Sequence, residues 1–199
     1  MSCEKELQDK LDITPSTQLR RTLLKLTSTG ALITLIPGRT AYAAISNSIV
    51  ASGHGSDFAH GECMQVLSPG YWKTHTENWG AIANTTTFKS VFGGLPLNTS
   101  ATATETTTLL QVLESPGQGE SGLGGPNNVN YFLASFYLIT ANHSRLGIVF
   151  PVVGMGKPFT SLHDFASYLY NEALMDAGGV GTTLSEITNN YHLGNSCPA

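Results

Sequence analysis

Apolar residues in the second half of the chain recur at helical intervals. Val129, Phe132, Leu133, Phe136 and Thr140 fall at i, i+3, i+4, i+7 and i+11, which places them along one stripe of a 3.6-residue helix. Asn127 or Asn128, after Pro126, supplies its cap. Leu162, Phe165, Ala166, Leu169 and Ala173 repeat the spacing, with Ser161 and Asp164 as a capping pair and Gly178-Gly179 as the expected stop. Thr183 and Glu186 read as the start of a further helix carrying Leu184, Ile187 and Tyr191 on one face. A shorter helix is expected over Thr107 to Glu114, with Leu109 and Leu113 one turn apart and Ser115-Pro116-Gly117 ending it. Trp79 and Ile82, then Phe88, Val91 and Phe92 after a threonine run, suggest one or two short helices more. Leu146 to Val153 is the β-like exception, and Pro151 would confine any strand there to an edge or an end. The pattern predicts a mainly α, compact single domain of about five helices joined by long polar loops.

Two segments lack such periodicity. Ser115 to Val129 is rich in glycine and matches G-x-G-x-x-G at Gly117, Gly119 and Gly122. The match is rejected, because a dinucleotide loop needs a strand before it and a helix opening within it. Ala44 to Glu62 offers only Ile45, Ile49, Val50 and Phe58 as large apolar residues and reads as an extended arm or linker.

The N-terminal region carries a different signal. Arg20-Arg21 opens a short apolar run, Leu23 to Pro37, which Ala41-Tyr42-Ala43 closes with small residues of the kind signal peptidase reads. Thr27, Ser28, Thr29 and Gly30 dilute the run, and Arg39 precedes the cleavage position. Both features favour twin-arginine export over the general route. A membrane anchor is the alternative, but a span needs about 20 apolar residues and Leu23 to Ile36 is too short and too polar. The expected organisation is a signal peptide over 1–43, an arm over 44–62 and a helical domain over 63–199, exported already folded from a prokaryotic cell.

Removal of the signal changes the charge balance. Residues 44–199 keep four basic side chains (Lys73, Lys89, Arg145 and Lys157) against ten acidic ones, a net charge of −6. Nucleic acid and anionic membrane surfaces are poor partners for such a chain, because both require clustered Lys or Arg. No segment after residue 43 is long and apolar enough to span a bilayer, so no membrane span is expected in the mature form. Cys3 lies in the removed segment, leaving Cys63 and Cys197. In an oxidising compartment two such cysteines are expected to pair, with a chain-entropy contribution of about 4–5 kcal/mol. The competing role for Cys63 is as a metal-binding thiolate.

The least generic run is Ser68-Pro69-Gly70-Tyr71-Trp72-Lys73-Thr74-His75, followed by Trp79. It resembles the GYWK-x-H domain of many secreted, functionally uncharacterised bacterial and fungal proteins. That family places a cysteine a few residues upstream, as Cys63 is here, and a tryptophan after the histidine. TLLQVLESPGQG and YFLASFYLITANHSRLG match its later helices loosely, so the resemblance spans roughly Cys63 to Asn171. It implies an extracellular location and a helical architecture, and brings no catalytic residues. Read from the residues themselves, Pro69-Gly70 is a turn, and Tyr71 and Trp72 bury rings while keeping a polar atom paired. Lys73 is expected over Trp72 or Trp79 as a cation–π contact. Two uses of the run compete. One is structural, with the aromatic rings closing the bundle; the other is a ligand platform of Tyr71, Trp72, Lys73, His75 and Trp79, suited to sugar rings or a partner surface.

Metal-ligand side chains are dense just upstream. His54, Asp57, His60, Glu62, Cys63 and His75 fall within 22 residues, and neutral imidazoles suit copper or zinc. His54, His60 and His75 are the candidate ligands, although their spacing matches no standard zinc signature. No G-x-S-x-G elbow, H-E-x-x-H or D-x-D run occurs, and nothing nominates a carboxylate pair for glycoside hydrolysis. These features point to an exported, non-catalytic structural or interaction protein of matrix or filament type that associates with itself or other surface components. A periplasmic or secreted copper- or zinc-binding protein is the second reading, and a carbohydrate-binding or hydrolytic module the third.

Overall fold

A computed structural model describes residues 64–117 and 122–194. The twin-arginine segment, the arm with His54 and His60, and both Cys63 and Cys197 lie outside the described residues. Among those described there are six α-helices and no strand. They are α1 (Pro69–Thr74), α2 (Phe88–Phe92), α3 (Leu109–Glu114), α4 (Val129–Leu146), α5 (Leu162–Met175) and α6 (Ala177–Asn190). Single 3₁₀ turns at Thr76–Trp79 and Pro126–Asn128 follow α1 and precede α4.

Local chemistry sets most of these boundaries. Thr108 caps α3 in a reciprocal capping box with Gln111, and Thr87 caps α2 by accepting from the Ser90 amide. Ser161 accepts from the Asp164 amide at 3.1 Å, as expected for α5. The start of α4 is built differently. Asn128 stands at the cap but in left-handed backbone (φ +59°), and its Oδ1 accepts from the Gly117 amide at 2.6 Å rather than from the helix. Gly147, at φ +68°, ends α4 in the left-handed conformation that lacks a Cβ penalty.

Helix α4 is the centre of the fold. Its buried residues run around most of its circumference, from Val129 and Leu133 to Phe136, Leu138 and Ile139, because α1, α3, α5 and α6 all pack on it. Edge-to-face rings link Phe136 to Phe150 (5.9 Å) and Phe150 to Phe165 on α5 (6.4 Å), an arrangement suited to the aromatic quadrupole. Helix α2 packs against α5 through Phe88, Phe92 and Tyr170, whose hydroxyl donates to the Leu95 carbonyl at 2.7 Å. None of these helices is long and apolar enough to cross a membrane.

Three expectations from the periodicity need correction. Gly178-Gly179 does not stop α5, which ends at Met175; the pair instead lies in the first turn of α6, capped by the Asp176 carboxylate through the Gly179 amide at 2.8 Å. Helix α6 therefore starts six residues before Thr183. A third glycine in the helix is required by packing: a Cβ on Gly181 would stand 2.7 Å from the Asn127 carbonyl oxygen and 2.9 Å from that of Pro126. Leu146 to Val153 makes no strand. Leu146 closes α4, and the residues after it form isolated pairings, Gln65 N–H to Val149 O at 2.7 Å and Val153 beside Phe159. Pro69-Gly70 is the first turn of α1, where Pro costs no hydrogen bond, rather than a free-standing turn.

Candidate interaction surface

The motif is built on α1 and the 3₁₀ turn behind it. Ser68 caps α1 through the Tyr71 amide at 3.3 Å, and Pro69 presets the helical φ at the first position. The chain closes at His75, whose amide donates to the Tyr71 carbonyl at 3.0 Å, and passes directly into Thr76–Trp79. Gly80 then turns it away at φ +65°; a Cβ there would meet Asn142 Oδ1 at 2.5 Å.

This geometry sorts the five motif residues onto two faces. Trp72 and Trp79 point inward and are 0% and 1% exposed. The Trp79 indole Nε1 donates to the Trp72 carbonyl at 2.9 Å. The platform expectation does not hold for these two rings, because the core covers them and Lys73 stands exposed on the other side of α1. The outward face holds Tyr71, half-buried, with Lys73 and His75 exposed. Tyr71 and His75 are one turn apart and stack with ring centroids 4.3 Å apart and planes 11° from parallel.

Hydrogen bonds hold that outer face in place. Asn78 Nδ2 donates to the Tyr71 hydroxyl at 2.6 Å, and the Arg145 guanidinium donates to the Asn78 carbonyl and, at 3.5 Å, to Asn142 Oδ1. Asn142, 3% exposed, donates in turn to the Leu138 carbonyl at 2.9 Å. The motif is thereby pinned to the last turns of α4. Sequence reading missed Asn78, Asn142 and Arg145, since no spacing rule joins residues 67 positions apart.

His75 Nδ1 lies 3.0 Å from the Tyr71 carbonyl oxygen and 2.9 Å from the Thr74 hydroxyl. A carbonyl only accepts, so Nδ1 carries the proton in that bond. Nε2 has no hydrogen-bond partner among the described residues, on a side chain that is exposed. This is how a backbone carbonyl orients a metal-binding imidazole. Among the described residues, however, no group of three or more His, Cys, Asp or Glu side chains is placed to hold a metal ion. The remaining proposed ligands, His54 and His60, lie outside them.

The surface offers the Tyr71–His75 stack and the Lys73 ammonium, which has no ion-pair partner among the described residues. Exposed rings of this kind can stack, and ammonium and imidazole groups can hydrogen-bond. No family model matches the chain, and neither a curated protein nor a solved structure does.

Proposed function

We propose that this chain is an exported, non-catalytic structural or interaction protein that self-associates as a matrix- or filament-type subunit. The observation that carries the reading is the adjacent pair Leu174 and Met175, 58% and 71% exposed at the end of α5, on a mature chain with only four basic and ten acidic side chains. Exposed apolar side chains on a weakly charged surface favour association, because burial is favourable and little repulsion opposes it. Met155, at the tip of the 154–158 loop, adds a further fully exposed apolar side chain. Sedimentation of the secreted protein across a concentration series tests the reading. Concentration-dependent assembly that is lost in Leu174→Lys/Met175→Glu, with unchanged helix content, is the expected result. A strict monomer at high concentration overturns it.

A disulfide between Cys63 and Cys197 belongs to this reading. Val66 donates to the Tyr191 carbonyl at 2.8 Å and accepts from the Leu193 amide at 2.9 Å. The two cysteines lie three residues before Val66 and four after Leu193, and a chain spans up to about 3.5 Å per residue. Each sulfur is thus within tether reach of the other, and a tie there would fasten both ends of the domain. The intact mass, with and without reductant, distinguishes the paired from the reduced form.

The second reading, a copper or zinc site using His54, His60 and His75, is favoured by the exposed His75, whose Nδ1 is engaged by the Tyr71 carbonyl and Thr74 while Nε2 has no partner among the described residues. Substituting all three histidines should abolish metal retention and leave assembly unchanged if it holds.

A further inference from the structure

Three Asn-x-Ser/Thr triplets occur after residue 63: Asn84-Thr85-Thr86, Asn98-Thr99-Ser100 and Asn142-His143-Ser144. This is the acceptor pattern for N-linked glycans, which are attached at surface positions of exported proteins. The fold separates the three. Asn142 lies inside α4 at 3% exposure, with Nδ2 donating to the Leu138 carbonyl at 2.9 Å and Oδ1 accepting from Arg145. Its amide nitrogen is committed, and no glycan fits there without opening the fold. Asn84 and Asn98 are exposed. Asn84 stands at the second position of a turn closed by the Thr86 amide on the Ala83 carbonyl at 2.9 Å. Asn98 projects from left-handed backbone at φ +45°. Neither side-chain amide has a hydrogen-bond partner among the described residues.

We infer that Asn84 and Asn98 are N-glycosylation acceptors on the folded, exported chain and that Asn142 is not. The inference rests on the export reading above. A chain exported already folded can be modified only where the folded surface offers the asparagine, so burial decides among the triplets. The co-reactant is an oligosaccharide carried on a polyprenyl phosphate, with an oligosaccharyl transferase as catalyst. The amide Nδ2 forms a bond to the anomeric carbon of the sugar, and the bond from that carbon to the phosphate oxygen breaks. The phosphate leaves with the electron pair, and one amide proton passes to a base of the transferase.

The test is mass spectrometry of the full protein recovered from the cells that secrete it, read both intact and as peptides. The expected result is a hexose-type mass increment on the peptides holding Asn84 and Asn98 and none on that holding Asn142. Asn84→Gln and Thr86→Ala should each remove the first increment, and Asn98→Gln the second. The same spectrum reports the N-terminus. A chain cleaved near Ala43 with both asparagines bare overturns the glycosylation inference and leaves export standing. A chain retaining residues 1–43 with bare asparagines overturns both, and a glycan on Asn142 overturns the burial argument.

Discussion

The indole nitrogen of Trp79 donates to the backbone carbonyl of Trp72 across 2.9 Å, with both residues buried. The bond locks the 3₁₀ turn onto the helix before it and fixes which motif residues face out. The two tryptophans are chemically alike but differ here in one respect: Trp72 Nε1 is buried and has no partner among the described residues. Trp79→Phe should therefore destabilise the protein by about 1 kcal/mol more than Trp72→Phe, because only the former removes a made hydrogen bond. Equal losses in denaturant titration would contradict the arrangement.

Truncation of either ring is a different matter. Trp72→Ala should cost about 3–5 kcal/mol by leaving a cavity in a closed core. Any binding lost in that variant would report unfolding, so Tyr71→Ala, on the half-buried outer face, is the variant that probes the surface. Near-native melting of Trp72→Ala would show that the ring is not in the core.

Asn130 is the buried polar residue on which the loops depend. It is 0% exposed and accepts from the Leu97 amide at 2.8 Å while donating to the carbonyls of Leu97 and Leu123, each at 2.9 Å. Asn130→Leu, of similar size, should still cost upward of about 2 kcal/mol, since three backbone groups lose their partner together. Thermal unfolding measures it, and a neutral substitution would mean that water replaces the amide.

Two glycines in one helix should respond oppositely. Gly181→Ala brings a methyl within 2.7 Å of the Asn127 carbonyl oxygen, so α6 must move away from the Pro126–Asn128 turn and lose stability. Gly178→Ala meets its nearest atoms at 3.8 Å, an ordinary contact, and should stabilise by about 0.5–1 kcal/mol through helix propensity. The paired melting temperatures decide it, and loss of stability in both would place Gly178 in tighter contact than this.

Acid dependence should show two carboxylates of α5 pulling in opposite directions. Burial raises the Glu172 pKa, so its contribution is present below the unfolded value of about 4.3 and is lost as pH rises through the folded one. Glu172→Gln should thus be more stable than the parent at pH 7, with the gap closing below about pH 4. Asp164 is held low, first by the Thr160 hydroxyl and then by Ser161. Its contribution is present above the unfolded value and lost as pH falls through the folded one, so Asp164→Asn should matter at neutral pH and not in strong acid. Melting curves at both pH values separate the two signs.

Much of the helical content was legible in the residues. Helices α4 and α5 follow from apolar stripes that local geometry turns into faces, and Thr108 and Ser161 cap as their side chains dictate. The mainly α class needed nothing more. The start of α6 was misread because helix propensity treats Gly178 and Gly179 as breakers. At Gly181 the neighbouring Pro126–Asn128 turn approaches to where a Cβ would stand, and at Gly179 the Asp176 cap does, so the structure makes small residues there a requirement rather than a defect.

The motif shows the same division. Its residues, Tyr71, Trp72, Lys73, His75 and Trp79, were nominated by sequence because aromatic and basic side chains so close together are uncommon. Which of them meet solvent depended on α4: a surface ring and a core ring have the same local sequence, and only the packed helix behind them distinguishes the two. Sequence by itself determined the apolar faces of α4 and α5, the Ser161 cap and the composition of the motif, since these depend on neighbours within a few residues. The tertiary structure alone decided that both indoles turn inward, that Arg145 and Asn142 brace the outer face, and that Asn142 is closed off while Asn84 and Asn98 are open. Those outcomes depend on contacts between residues far apart in the chain, which no local period encodes.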